Sequence, residues 1–106
     1  MCAHKPTVRL TPNAKADFQN ILAHTRRMWG GEQKADYRMV ISGALRRLGE
    51  FPDIGEDRED LFQGCRMLSV GQHVVFYHRP NPSELVVLRI VHTRQDIQVI
   101  SLLPEP

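Results

Sequence analysis

Cationic, imidazole and phenol side chains recur in the second half of this 106-residue chain, where plain core strands would carry only aliphatic residues. The six that could do chemistry or bind a partner are Arg66, His73, Tyr77, Arg89, His92 and Arg94. Arginine holds phosphates and stabilises developing negative charge, and histidine transfers protons near neutral pH. The set suits either a nucleolytic site or a contact surface, although any single arginine could equally well solvate an exposed sheet face.

No metal or cofactor site is predicted. His73 and His78 are five residues apart, so in one strand they point to opposite faces and cannot share an ion. The two cysteines, Cys2 and Cys65, are too few for a disulfide framework and suit a reducing compartment. The sequence contains no serine-protease triad order, phosphate-binding glycine loop or calcium-binding loop.

Composition indicates one globular domain, 1–106, with a core over about 7–97 and short tails. The apolar fraction is 42%, the charged fraction is 25%, and no window nears the roughly 20 apolar residues of a membrane helix. The first residues lack the apolar stretch of a signal peptide, so we expect a cytoplasmic protein with no membrane role. The net charge of +2 is too small to predict direct, sequence-specific nucleic-acid binding.

Two amphipathic helices must position the strands that carry the six residues. A short first strand precedes Thr11-Pro12, a typical N-cap and first helical position. Apolar residues then recur at helical spacing as far as Trp29, and again until Pro52 ends the second helix. Two glycines join the helices into a hairpin, and a sheet must cover the apolar stripes of both helices.

A tryptophan at such a helix turn most often closes the core, and we expect this of Trp29. The acidic loop 53–60 is expected to be a solvated connector.

Three strands supply the sheet. The Gly71-Gln72 turn predicts a tight hairpin in which Arg66 lies opposite Tyr77. One face of this hairpin then carries Arg66, Leu68, Val75 and Tyr77, and the other carries Met67, Val74 and Phe76.

The last strand can pair with this hairpin in two registers that differ by one residue. One register puts Arg89 beside Phe76 and Met67, and the other puts Leu88 and Ile90 there instead. Burial of an unpaired arginine is costly, so we predict the second register. The predicted fold is therefore α+β with the order β-α-α-β-β-β. Its antiparallel-rich sheet has an apolar face of Met67, Val74 and Phe76 under the helix hairpin and an open face that carries Arg66, Tyr77 and Arg89.

Short motifs along nearly the whole chain, from about residue 7 to 97, closely resemble one family. In order they are Trp29-Gly30-x-x-Gln33-x-x-x-Tyr37, Pro52-x-x-Gly55, Arg58-x-x-Leu61, Gly64-x-Arg66, Val74-Val75-Phe76-Tyr77 and Arg89-Ile90-Val91-His92-x-Arg94-x-Asp96. Each motif is weak alone, but their order and spacing together resemble ParE-type toxins of the RelE/ParE toxin–antitoxin superfamily. The chain departs from the pattern at Lys34, where many relatives have alanine, and in its short apolar tail 99–103.

The resemblance implies a bacterial toxin that binds and inhibits DNA gyrase without catalysis of its own, and that a ParD-like antitoxin neutralises in a hetero-oligomer. The implied target-binding residues are Arg66, Tyr77, Arg89, His92 and Arg94. The implied antitoxin-binding residues are Phe18, Leu22 and Tyr37.

Two alternatives stay open. RelE relatives cut ribosome-bound messenger RNA, and by position Arg66, His73 and Arg94 match their basic residues. That branch usually has a tyrosine or histidine near the C-terminus, whereas neither occurs after Arg94 here. Loss of one general acid or base costs about 10²–10⁴-fold in rate, which weighs against an RNase. The other alternative is a non-toxic homologue that serves as an interaction module.

Overall fold

A computed structural model describes residues 5–94. Its elements are β1 (Thr7–Leu10), α1 (Pro12–Trp29), α2 (Gly31–Glu50), β2 (Glu56–Asp57), β3 (Arg66–Val70), β4 (His73–Asn81) and β5 (Glu84–His92). The strands form one sheet in the order β1-β5-β4-β3-β2, in which β1 and β5 are parallel and the other pairs are antiparallel. The predicted α+β class is confirmed. The two-residue β2 adds a strand within the acidic segment that was expected to be a connector.

The helices begin and end where the sequence predicts. Thr11 caps α1, since its hydroxyl accepts the Ala14 N–H at 3.1 Å and donates to the Leu88 carbonyl at 2.9 Å. Gly30, between the helices, has a φ of 94°, which favours glycine and lets α2 start at once. No helix within residues 5–94 is long and apolar enough to cross a membrane.

The hairpin of β3 and β4 has the predicted register. Val70 lies opposite His73, and Arg66 lies opposite Tyr77, around the Gly71-Gln72 turn. Gly71 has a φ of 59°, as the first position of such a turn requires. The turn therefore fixes which residues of the two strands share a face.

The prediction of which face the helices cover is wrong. The core under the helices, here called the helix-side core, consists of Ala14, Ile41, Leu48, Val70, Val75, Tyr77, Leu85, Val87 and Ile90. Val74 and Phe76 lie instead in a second cluster with Cys65 and Val91, against which Leu61, Phe62 and Met67 pack. The segment after β2 thus covers the face that was expected to lie under the helices, and β4 is buried on both sides.

Tyr77 is fully buried, although the sequence places it on an open face. Its hydroxyl donates to the Pro52 carbonyl at 2.8 Å and accepts the Gly55 N–H at 2.9 Å. Because both hydrogen-bonding roles are satisfied by backbone groups, the phenol can lie in the core without an unpaired polar atom. The sequence places Tyr77 opposite Arg66, on the face that was expected to be open, and it does not reveal these backbone partners.

The register of β5 also differs from the prediction. Arg89 lies opposite Phe76, and a bulge then brings Val87 opposite Tyr77. In a regular strand, residues three positions apart point to opposite faces of the sheet. The bulge inserts one extra residue, so Val87 and Ile90 both point into the helix-side core. The rejected register was excluded because it would bury an unpaired arginine, but Arg89 is paired with Asp17 of α1.

Candidate functional site

A cleft of about 710 Å³ opens between α1, the start of α2, the β3–β4 turn and the end of β5. We call it the histidine cleft. It is lined by Asp17, Asn20, Ile21, His24, Thr25, Trp29, Gln33, Tyr37, Gly71, Gln72, His73, Ile90 and His92. Three of these residues are histidines from three different elements, so the fold gathers imidazoles that lie far apart in the sequence.

The centre of the histidine cleft is a contact between α2 and the β3–β4 turn. The Tyr37 hydroxyl lies 2.5 Å from Nδ1 of His73. It also accepts the Gln72 N–H at 3.3 Å and lies 3.4 Å from the Val70 carbonyl oxygen. A Cβ at Gly71 would lie 2.9 Å from this hydroxyl, so the turn needs glycine for space as well as for its φ. Tyr37 is thereby fixed against the turn.

His73 also meets the imidazole at the end of β5. The rings of His73 and His92 lie edge to face with their centroids 5.3 Å apart. His92 Nδ1 accepts the Arg94 N–H at 3.1 Å. A phenol and two imidazoles therefore lie in a row in the cleft, since the Tyr37 and His73 rings are tilted by 57° with their centroids 5.4 Å apart.

Burial keeps Tyr37 and His73 uncharged near neutral pH. Burial lowers the pKa of His73, and the neighbouring His92 and His24 lower it further. Burial also raises the pKa of Tyr37, although the Gln72 N–H opposes that shift. His73 is therefore a neutral imidazole and Tyr37 a neutral phenol at pH 7.

The residues predicted for an RNase site do not converge. His73 begins β4, whereas Arg66 pairs with Tyr77 four residues further along that strand, which is about 13 Å away. The Arg66 guanidinium is held there, donating to the Gly55 carbonyl at 2.9 Å and lying 3.9 Å from the Asp53 carboxylate. Arg94 is exposed and follows His92 beside the cleft. Only His73 and Arg94 of this set lie near one another.

The predicted target-binding set is also divided by the fold. Tyr77 is buried, and Arg89 is engaged by Asp17, so neither offers a free contact surface in this structure. Arg66 lies at the far end of the hairpin from the cleft. His92 and Arg94 remain together beside the histidine cleft.

The three predicted antitoxin-binding residues have different surroundings. Leu22 is only 6% exposed, and Phe18 is half-buried against the helix-side core, so both pack within the fold and their antitoxin contact stays a prediction. Tyr37 lines the histidine cleft. The periodicity of α1 could not separate core residues from partner contacts, because both occupy the same apolar stripe.

A second groove lies between α2 and the edge of the sheet, and we call it the α2–β3 groove. It is lined by Val40, Gly43, Ala44, Arg46, Arg47, Glu50, Leu68, Ser69, Val70 and Gly71. Within residues 5–94, β2 pairs only with Arg66 and Met67, so the outer edge of β3 from Leu68 onward has no strand beside it. Exposed Met39 and Val40 add apolar surface on α2.

Trp29, His24 and Gln33 are cleft residues that the sequence reasoning did not assign to a site. Trp29 was expected to close the core, but it is 71% exposed at the end of α1 and lines the cleft. The spacing Trp29-x-x-x-Gln33-x-x-x-Tyr37 was visible, and four-residue steps point to one helix face. Because Gly30 separates the two helices, that spacing does not by itself place Trp29 on the same face as Gln33 and Tyr37. Across residues 5–94, no three His, Cys, Asp or Glu side chains come together as a metal site would require.

Comparison with known proteins identifies the family. A family model described as the ParE toxin of the type II toxin–antitoxin system parDE matches residues 8–97. The chain belongs to the ParE toxin family. It is 36% identical over 84 residues to Toxin ParE1 of Caulobacter vibrioides, covering 79% of this chain and 85% of that one. It is 32% identical over 88 residues to Toxin ParE1 of Mycobacterium tuberculosis, covering 83% and 90% respectively.

The ParE fold is also found in a solved structure described as the chromosomal ParDE TA system from P. aeruginosa. The TM-score is 0.72 at 22% sequence identity, over 84% of this chain and 97% of the other. At that identity the likeness supports the ParE fold alone. The resemblance first derived from short motifs is therefore confirmed at the level of family and fold.

Proposed function

We propose that this chain inhibits DNA gyrase by binding to it and that a cognate ParD-like antitoxin neutralises it in a hetero-oligomer. The observation that carries the proposal is the match to the ParE family model over residues 8–97. On this proposal the protein performs no bond-breaking chemistry, requires no cofactor and acts in the bacterial cytoplasm.

Two features favour binding over RNA cleavage. Arg66 and His73 lie at opposite ends of the β3–β4 hairpin, and Arg66 is already held by Gly55 and Asp53. In addition, the sequence after Arg94 contains neither tyrosine nor histidine, so one general acid or base of the RelE pattern is missing.

The antitoxin is proposed to occupy the α2–β3 groove. The groove offers an apolar floor that includes Val40 and Leu68, together with an unpaired strand edge. Its charged lining residues are Arg46, Arg47 and Glu50, so cations outnumber the single acid, which suits a segment with apolar and acidic residues. A segment that is disordered when free could fold here as a helix along α2 or as a strand beside β3.

The target assignment is tested with the purified full-length chain in a gyrase supercoiling assay. Inhibition that the cognate antitoxin reverses is the expected result. A translating system run in parallel tests the RelE-like alternative, in which specific cleavage of ribosome-bound messenger without gyrase inhibition would contradict the proposal. Harmless induction of the free chain in a sensitive host would instead identify a non-toxic interaction module.

The docking assignment is tested with Val40→Asp. Val40 is 47% exposed, so the change should leave the fold intact while it places a charge on the groove floor. We expect gyrase inhibition to persist and its reversal by antitoxin to weaken at least tenfold. Lys15→Glu, on the exposed side of α1, is the matched control and should leave both unchanged. Equal loss of reversal in the two variants would refute docking at this groove.

A further inference from the structure

The segment 58–65, between β2 and β3, is a loop whose two ends meet. The Arg58 N–H donates to the Cys65 carbonyl at 2.8 Å and so closes the loop. Inside it, the Leu61 N–H donates to the Arg58 carbonyl at 3.0 Å, and the Cys65 N–H donates to the Phe62 carbonyl at 3.1 Å. A compact surface segment with adjoining ends is an Ω-loop. We call it the cover loop.

The polar groups of the cover loop bond to the loop itself. The Arg58 guanidinium donates to both carboxylate oxygens of Asp60 at 2.9 Å, and the Glu59 carboxylate accepts the Gly64 N–H at 3.3 Å. The Glu59 N–H donates to Asp57, directly before the loop, at 2.8 Å. Within the described part of the chain, the residues between the two loop ends have no hydrogen bond to the sheet beneath them. The cover loop therefore holds its own shape.

The attachment of the cover loop to the sheet is mainly apolar. Leu61 and Phe62 are half-buried and pack on the cluster around Phe76, on the sheet face opposite the helices. The Phe62 ring also meets the His78 ring edge to face, with centroids 5.8 Å apart. Among the described residues, the polar contact between the loop side chains and β3 is a weak one, from the Arg58 guanidinium to a thioether sulfur at 3.3 Å. Few contacts thus have to break for the loop to leave the sheet.

The end of the cover loop next to β3 is built to bend. Gly64 is exposed and has a φ of 86°, a left-handed conformation that favours glycine. A Cβ added at Gly64 would meet nothing within 4 Å, so the backbone there is free of packing constraints. At its other end the loop follows β2, which is only two residues long. Both ends can therefore absorb a rotation of the loop.

We propose that the cover loop opens and closes as a unit while the rest of the fold stays intact, and that its opening uncovers the sheet face opposite the helices. Opening breaks the contacts of two half-buried side chains and one weak hydrogen bond, whereas global unfolding exposes both core clusters. The apolar residues beneath, Val74, Phe76 and Val91, are at most 9% exposed in the closed form. The proposal does not depend on the gyrase assignment, because no step of it involves a partner.

Cys65 reports on the opening without any added probe. Its side chain is fully buried in the cluster under the loop, and burial raises the pKa of the thiol to about 11. The closed form therefore contains almost no thiolate near neutral pH, and only the thiolate reacts with disulfide reagents. In the open form the thiol meets water and its pKa returns toward the value of about 8.5 of a free cysteine. Reaction of Cys65 consequently measures how often the loop opens.

The experiment uses the full-length chain with Cys2→Ser, which leaves Cys65 as the single cysteine. Dithionitrobenzoate is added at pH 8 in a series of urea concentrations below the unfolding midpoint, and the released thionitrobenzoate is followed by absorbance. We expect Cys65 to react at least tenfold faster in the absence of urea than global unfolding allows. The rate should depend only weakly on urea until close to the midpoint, because local opening exposes little surface.

Two further substitutions, each made in the Cys2→Ser chain, separate opening from unfolding. Phe62→Ala removes the larger apolar contact of the loop and should raise the reaction rate at least tenfold. Ile41→Val is the matched control, since Ile41 is fully buried in the helix-side core and far from the loop in the fold. It should lower the urea midpoint but leave the reaction rate without urea within about twofold. Urea midpoints of all three proteins are measured by circular dichroism.

Three results would overturn the proposal. A reaction rate that follows global unfolding at every urea concentration would show that the loop does not open separately. An acceleration by Ile41→Val as large as that by Phe62→Ala, relative to their changes in urea midpoint, would show the same. An unchanged rate in Phe62→Ala would show that the reagent reaches Cys65 by another route.

Discussion

The carboxylate of Asp17 in α1 holds the guanidinium of Arg89 in β5 through two hydrogen bonds, 2.6 Å to Nε and 2.9 Å to the terminal nitrogen. The same carboxylate accepts the Ile90 N–H at 3.0 Å. The two side chains are only 15% and 21% exposed. This bidentate pair ties the first helix to the last strand directly after the bulge, where the ladder of β4 and β5 is irregular.

Asp17→Asn should destabilise the fold by about 2–4 kcal/mol, because it leaves Arg89 half-buried without its counter-charge. Urea unfolding measures the change. Arg9 and Glu84 provide a matched control, since they form a 3.5 Å pair whose side chains are 57% and 44% exposed. Arg9→Met should cost less than about 1 kcal/mol. Similar losses in the two variants would show that the Asp17 pair contributes no more than a surface pair.

Gly55→Ala and Gly43→Ala should change stability in opposite directions. A Cβ at Gly55 would lie 2.5 Å from the Tyr77 hydroxyl and 2.7 Å from the Met67 carbonyl oxygen, so we expect a loss of about 1–3 kcal/mol or more. A Cβ at Gly43, inside α2, meets nothing within 4 Å, and alanine should stabilise the helix by up to about 1 kcal/mol. Thermal unfolding of the two variants decides this, and a stable Gly55→Ala protein would contradict the tight packing described for Tyr77.

Tyr77→Phe separates folding from target binding. The change removes the hydroxyl that bonds Pro52 and Gly55. It leaves the buried Gly55 N–H and the partly buried Pro52 carbonyl without this partner, and should cost about 1–3 kcal/mol. Because Tyr77 is buried, gyrase inhibition per folded molecule should stay at the wild-type level. The folded fraction is taken from circular dichroism, and inhibition from the supercoiling assay. A loss of inhibition with the fold intact would restore Tyr77 to the target-binding set.

Stability should decrease as the pH is lowered from 7.5 to 5.5. Burial lowers the pKa of His73 and of His78 below their usual value near 6.5, so the unfolded chain takes up protons before the folded chain does. The stabilisation is complete above the unfolded pKa and is lost as the pH falls through 6.5 toward the folded values. Urea midpoints at pH 7.5, 6.5 and 5.5 measure this. The double variant His73→Gln/His78→Gln should show a flatter profile, and an unchanged slope would assign the effect to other groups.

The local elements of this fold could be predicted because their causes are local. Thr11-Pro12 starts α1, the glycine at 30 allows α2 to follow, and Gly71-Gln72 sets the hairpin register. Each of these residues acts on its neighbours in the chain, so the sequence alone was sufficient to predict the helix starts and the hairpin register.

The faces of the sheet depended on partners that are distant in the sequence. Tyr77 is buried because Pro52 and Gly55 satisfy its hydroxyl, and Arg89 takes the rejected register because Asp17, 72 residues away, pairs with it. The cost of burying Arg89 was correctly estimated for an arginine without a partner. What composition and periodicity could not supply was the identity of the partner, and the face assignment failed for that reason.

The candidate site was anticipated in part. His73 and His92 were noted as functional residues, but the contact of His73 with Tyr37 requires α2 to pack against the β3–β4 turn. The family resemblance gave the correct class of protein, whereas the position of the cleft came only from tertiary packing.

The parallel pairing of β1 with β5 has a consequence for synthesis of the chain on the ribosome. Thr11 and its acceptor Leu88 are 77 residues apart, so at 5–20 residues per second the first strand waits about 4–15 s before its neighbour is translated. Until then the sheet beneath the helix hairpin lacks β5, and the apolar residues of α1 that pack on β5 stay open to water or to other proteins. The complete fold therefore forms only after most of the polypeptide has been made, and any function that needs the complete fold begins no earlier.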